Sequence, residues 1–344
     1  TKETSFIYAA QALLFLGLYF VYRTTQKQWQ KPNLRSFFLL ALILALILFS
    51  SGLVLRSLAH QTLPSGEAQY PQLAALPQFI ALALIALGVI SLIAAIIFIL
   101  SGFTLALVRQ ERSFDLLMLL GTLVLPQLSA FLINFFGWSI PVNASEVNAL
   151  TLADILHMAL VLVPVLLSSI GLGLWWNTRQ WLINAGIWYS IFVVFYTSLF
   201  TNGSGLFTGL VGSLGYWLEQ QIVNRGGQPF YYYALVQIPF YEYLPAIGCL
   251  LALLYFIFRP SGGSNSTDNQ SSEAGIPPGK PSEENEAFTS TGWQKPPTLA
   301  LIGFWIFTSL LAFSIAGEKM PWLTVHIALP MILMSGWFFG KIID

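Results

Sequence analysis

The stretch 313–330 reads FSIAGEKMPWLTVHIALP and sets an adjacent acid and base, Glu318 and Lys319, in a gap of a few residues between two long apolar runs. A run of about 20 apolar residues crosses a bilayer as a helix. The runs 297–316 and 323–340 on either side of this gap therefore read as a helical hairpin with its charged tip at a membrane surface. Pro321 stands where the second helix would begin, the one place where its missing N–H costs nothing.

The rest of the chain supports this reading. Hydrophobic residues make up 56% of the 344 and charged residues only 9%, and the mean hydropathy is +0.70. A soluble domain carries about 25% charge, so most of this surface must face lipid. Further runs lie at 5–21, 35–54, 78–106, 116–137, 155–176, 181–200 and 230–258. Together they predict an all-α, polytopic transmembrane bundle of about nine spans. The run 78–106 exceeds the required length, which predicts tilting or protrusion. Segment 259–296 is rich in Ser, Gly, Pro, Asn and Glu and has no apolar face to bury. It predicts a disordered linker between a bundle over 1–258 and a C-terminal hairpin over 297–344.

Alternating the spans from an outside Thr1 puts Arg23, Lys27, Lys31, Arg35, Arg109, Arg112, Arg179, Arg259, Lys280, Lys295 and Lys341 inside. Only Lys2, Arg56, Arg225 and Lys319 fall outside, the bias expected of a multi-pass protein of the cell membrane with a cytoplasmic C-terminus. The first run is followed by RTTQKQWQKPNLR, a basic flank on the wrong side for a signal peptide. The opening TKETSFIYAA lacks methionine and predicts a chain that starts partway through a longer product. Fifteen basic residues balance fifteen acidic ones, which argues against a nucleic-acid partner.

The unusual residues fall on the expected outer side. In 201–229, apolar residues from Leu206 to Leu218 recur at helical spacing, which predicts a helix lying in the interface. It is followed by Glu219, and by Arg225 before a glycine pair; an ordinary surface loop is the alternative. The stretch PFYYYALVQIPFYEYLP, 229–245, carries Tyr231, Tyr241 and Glu242. The tyrosines fit either a cavity wall or the aromatic belt of an interface. Glu242 lies about ten residues into the apolar stretch, where an ionisable group is expensive and faces a partner or a cavity. At the final hairpin, free N–H groups of the helix behind Pro321, with Lys319 beside them, suit an anion such as a lipid phosphate. Lys2 and Glu3 share that outer face, and Trp322 and His326 follow in the helix. His326 is either a packed hydrogen-bonding residue or part of a site. His60, His157 and His326 are too dispersed for a metal site, no H-E-x-x-H or Walker loop occurs, and no cofactor is expected.

Taken together, TNGSGLFTGLVGSLGYWLEQQIVNRGGQPFYYY, PFYEYLP and AGEKMPWLTVHIALP resemble a family of polytopic membrane proteins described as flippase-activity-associated. That family is related to the dolichyl-phosphate-mannose protein mannosyltransferases, of the glycosyltransferase-C fold. More distantly, EKMPWLTVHIALP is similar to the K-x-P-x-Y-x-x-P segment of lipid A aminoarabinose transferases, with Lys319, Pro321 and Pro330 at the matching positions. The spacing to Pro330 is longer, and no tyrosine matches. The resemblance implies a transferase that takes sugar from a polyprenyl-phosphate carrier on the outer membrane face and passes it to a glycan or protein acceptor. Lys319 and Arg225 would hold the donor phosphate. Glu242 and Glu318 would be the candidate acids, and Lys2, Glu3, Glu219, Tyr231, Tyr241, Trp322 and His326 would line the cavity. The family's usual catalytic acid would lie upstream of residue 1. The alternatives are a non-enzymatic flippase for lipid-linked sugars, or an accessory subunit packed among other membrane subunits.

Overall fold

The computed structural model describes residues 4–59, 71–74, 76, 78–222, 228–258, 297–316 and 319–343. Among these, every regular element is helical. Seven helices are long and apolar enough to cross a membrane: Thr4–Gln26, Pro32–Arg56, Phe79–Gly102, Arg112–Phe135, Leu152–Tyr196, Thr298–Ile315 and Pro321–Ile343. The pair Tyr232–Tyr241 and Tyr243–Phe258, bent by 108°, makes an eighth if it is one span. These helices fit a multi-pass membrane protein, and their outward faces are apolar, as at Leu46, Ile90 and Leu160. The linker 259–296 lies outside the described residues.

The count departs from nine because the runs 155–176 and 181–200 form one helical element of 45 residues, Leu152–Tyr196. Only the four polar residues 177–180 separate the runs, and no proline or glycine lies among them. The direction changes at Asn177, whose φ of −154° and ψ of 92° are not helical. Ser169 Oγ donates to the Thr122 carbonyl at 2.5 Å, and Trp181 Nε1 donates to Thr122 Oγ1 at 3.0 Å. Residues twelve apart on a straight helix are separated by about 18 Å, so the two arms fold back at Asn177 onto one turn of the helix Arg112–Val124. A Cβ on Gly173 would overlap the Trp181 indole, so glycine is what admits this approach.

The chain divides into two compact units: Thr1–Gln11 with Asn134–Leu150 and Phe207–Asp344, and Ala12–Ile133 with Thr151–Leu206. In the second of these, the helices Pro32–Ala59 and Gln78–Gly102 pack closely, with Gly52 against Ala81 and Ile85, and Gly88 against Phe49. Small residues of this kind let helix backbones approach in a membrane. Trp29, Phe38 and Phe103 pack together at one end of the pair.

In the first unit, Tyr233, Phe313, Ile327 and Met331 form a core, and Gly248 lies against Ser335, whose Oγ donates to the Pro245 carbonyl at 3.0 Å. The expected interfacial segment is helical, with a π-widened turn Thr208–Gly212 followed by the helix Ser213–Ile222. Its Val211 and Leu214 are buried, Gly212 packs against the Pro141 carbonyl and Gly215 against Ile140.

Candidate functional site

The first unit brings polar side chains from four helical segments into one apolar core. The N-terminal helix supplies Tyr8 and Gln11, four and seven residues into Thr4–Gln26 and so on one face. Tyr8 Oη meets His326 Nδ1 at 2.5 Å. Gln11 Nε2 donates to Ser309 Oγ at 2.9 Å, with both side chains buried. The histidine ring is stacked on Phe313 at 5.5 Å, and Tyr8 meets Trp305 edge-on at 5.8 Å. Gln11 Oε1 and Trp305 Nε1 are buried with no hydrogen-bond partner among the described residues.

A second set of bonds ties the final hairpin to the segment Tyr232–Gln237. Gln237 Nε2 donates to the Tyr232 hydroxyl, and Thr324 Oγ1 donates to Gln237 Oε1 at 3.4 Å. Tyr233, fully buried, donates through its hydroxyl to the Met320 carbonyl at 3.0 Å. A polar group in lipid must find its partner within the protein. Here each pairing fixes the rotamer of a residue near the hairpin tip.

Lys319 is half-buried at that tip, where its Nζ donates to the Ala316 carbonyl at 3.0 Å. Ala316 caps the helix Thr298–Ile315, so the ammonium sits at the negative end of that helix. Pro321 occupies the start of a 3-10 turn, Pro321–Leu323, that leads into the helix Thr324–Ile343. The lysine thus stands between the C-terminal end of one helix and the N-terminal end of the next.

The other residues singled out from the sequence fall as follows. Glu242 is partly exposed at the 108° break, with its N–H donating to Ile238 and its carbonyl accepting from Ala246. Its carboxylate has no hydrogen-bond or ion partner among the described residues. Tyr231, Tyr241 and Trp322 are exposed, and none of them contributes a side-chain bond to the buried set; the buried tyrosines are their neighbours Tyr232 and Tyr233. Glu219 lies on the helix Ser213–Ile222. Lys2, Glu3, Arg225 and Glu318 lie outside the described residues.

The sequence reading missed Tyr8, Gln11, Gln237, Ser309 and Thr324. Gln11 and Gln237 were detectable in principle, because an amide inside an apolar run needs a partner. Comparison of the chain with family models, with curated proteins and with solved structures returns no match.

Proposed function

We propose that this chain is the membrane-embedded part of a glycosyltransferase that draws on a polyprenyl-phosphate-linked sugar at the outer membrane face. In this reading the fold is of glycosyltransferase-C type, and nine spans result when the bent pair and both arms of Leu152–Tyr196 cross. The observation that carries it is the polar core of the first unit beside the Lys319 tip. A lipid-linked sugar asks for three things at once: an apolar wall for the polyprenyl tail, a cation for the phosphate, and donors and acceptors for the hydroxyls. The exposed apolar faces of the final helix, Lys319, and the Tyr8–His326 and Gln237–Thr324 pairs offer each of them.

Lys319 would exchange a neutral carbonyl acceptor for a phosphate, a charge-assisted bond roughly twice as strong. In the transfer, the bond between the sugar's anomeric carbon and the phosphate oxygen breaks, and negative charge builds on the departing phosphate. A fixed ammonium stabilises that charge where it develops. His326, held by Tyr8, would orient a sugar hydroxyl, and Arg225 would share the phosphate. Glu242 or Glu318 would take the acceptor's proton, and the acceptor would be a glycan or a protein.

The decisive experiment follows label from a short-chain polyprenyl-phosphate mannose, in vesicles containing the full-length protein. Lys319→Ala should lower the rate of sugar transfer at least tenfold, with Lys319→Arg recovering part of it. A wild-type rate in Lys319→Ala removes the lysine from the mechanism.

One observation favours a second reading, a non-enzymatic flippase: the Glu242 carboxylate has no side-chain partner within the polar core. Passage of the labelled carrier between leaflets with no sugar release would select that reading.

A further inference from the structure

In the unit of Ala12–Ile133 and Thr151–Leu206, charged residues collect at one end. Glu111, 4% exposed, is paired with Arg23 at 3.6 Å and with Lys27. Arg35 Nη1 donates to the Thr25 carbonyl, and the Gln30 N–H donates to Gly102, which bring the ends of three helices together. The Arg109 guanidinium lies 5.1 Å from the ring centres of both Trp175 and Trp176, and its Nη2 donates to the Trp175 carbonyl at 3.3 Å. Trp176 Nε1 donates in turn to Asp115 Oδ1 at 2.7 Å. Lys31, Arg112 and Arg179, close in the chain to Gln30, Glu111 and Trp176, are exposed.

Directly beside Trp176 is a cavity of about 160 Å³, well above the 10–15 Å³ or so that one water requires. Most of its lining is apolar, including Leu116, Met118, Leu119 and Trp181, and its polar wall is Asp115, Asn177, Gln180 and Asn184. Several polar atoms of this wall are already engaged: Asn177 Oδ1 accepts from the Gln180 N–H, and Asn184 Nδ2 donates to the Gln180 carbonyl. The second Asp115 oxygen, the Gln180 amide, Asn177 Nδ2 and Asn184 Oδ1 remain to meet a ligand, a set with both donors and acceptors. Along the helices the cavity runs from Asn177 to Asn184, about 10 Å in from the charged end.

The geometry points to a headgroup site for an anionic phospholipid that carries hydroxyls, of the phosphatidylglycerol type. The phosphate would lie against Arg109 and Arg179, where clustered cations attract anionic lipid at a membrane surface. The glycerol hydroxyls would meet the cavity's polar wall and the glycerol carbons its apolar lining, and the acyl chains would follow the exposed apolar faces of the arms, such as Leu172 and Leu182. Contact with both Trp175 and Trp176, and the bond to the Trp175 carbonyl, restrain the Arg109 side chain before binding, which lowers the entropy lost when its charge meets an anion. A bare cation patch would accept any anionic lipid; the cavity is what selects a polyol. A soluble polyol phosphate shares this chemistry but has no acyl chains to use the apolar faces.

Native mass spectrometry of the full-length protein tests this site, with phosphatidylglycerol, phosphatidic acid, phosphatidylcholine and soluble glycerol 3-phosphate as separate probes. We expect phosphatidylglycerol to bind about tenfold more tightly than phosphatidylcholine. Arg109→Ala should lower that affinity about tenfold. Gln180→Leu combined with Asn184→Leu should lower phosphatidylglycerol binding severalfold and leave phosphatidic acid, which lacks the glycerol head, unchanged. Arg56→Ala, remote from these contacts, should leave all affinities unchanged. Equal binding of phosphatidylglycerol and phosphatidylcholine by the wild type overturns the site without recourse to any variant. An unchanged preference in Gln180→Leu with Asn184→Leu overturns the role of the cavity. Glycerol 3-phosphate binding as tightly as the lipid overturns the lipid as the ligand.

Discussion

At the charged end of one unit, Glu111 is buried between Arg23 and Lys27 and Arg109 is spread over two indoles, whereas the other unit pairs neutral groups in its core, Tyr8 with His326 and Gln11 with Ser309. The difference follows from depth and solvent. Long cationic side chains keep their heads near water while their stems lie along apolar surface, so full charges are affordable at helix ends. Within the apolar stretch, a neutral hydrogen bond such as Gln11–Ser309 forms without the several kcal/mol needed to desolvate an ion, although Gln11 Oε1 and Trp305 Nε1 stay unpartnered among the described residues. A cluster of cations near water suits anions from a surface, and paired neutral groups suit an uncharged, hydroxylated one; these are the roles proposed for the two units.

The largest expected effect breaks the charged arrangement. Arg23→Met with Lys27→Met leaves the Glu111 carboxylate, 4% exposed, without a partner, and should cost about 3–5 kcal/mol. Glu111→Gln should cost clearly less, because the Arg23 and Lys27 side chains are 27% and 36% exposed and can turn to water. Unfolding in mixed detergent micelles measures both; equal losses would mean that Glu111 is solvated in the folded protein.

A middle-sized effect tests the fold-back at Asn177. Gly173→Ala places a methyl group in the Trp181 indole and should destabilise by about 1–3 kcal/mol. Gly171→Ala, two residues away with nothing within 4 Å, should be neutral or stabilise by up to about 1 kcal/mol through helix propensity. Similar thermal midpoints for the two variants would mean that the arms do not close on each other.

The smallest effect sharpens the neutral arrangement. Ser309→Ala leaves the buried Gln11 amide without its bond and should cost about 1 kcal/mol. Gln11→Leu in the same protein should recover part of that loss, with a coupling energy near the roughly 0.6 kcal/mol typical of interhelical bonds in membranes. Additive losses in this double-mutant cycle would show that Gln11 and Ser309 do not act on each other.

The sequence alone determined the helical class, the long apolar helices and the hairpin around Lys319, because the length of an apolar run and the place of a proline are local properties that lipid reads directly. That Arg23, Lys27, Arg35 and Arg109 stand at the flanks of apolar runs was legible for the same reason, while the contacts each makes there are seen only in the structure. The tertiary structure alone decided how the polar core is composed. Tyr8 and His326 are 318 residues apart in the chain, and Gln11 and Ser309 are 298 apart; no local pattern encodes such pairings. It also decided which of the consecutive tyrosines 231–233 turn inward, since that depends on the neighbours around the helix rather than on composition. The fold-back at Asn177 was equally invisible locally, because it depends on Gly173 leaving room for Trp181, and on Thr122 offering one oxygen to each arm. Lipid selects spans one residue run at a time, but the sites between spans exist only where distant polar groups satisfy one another.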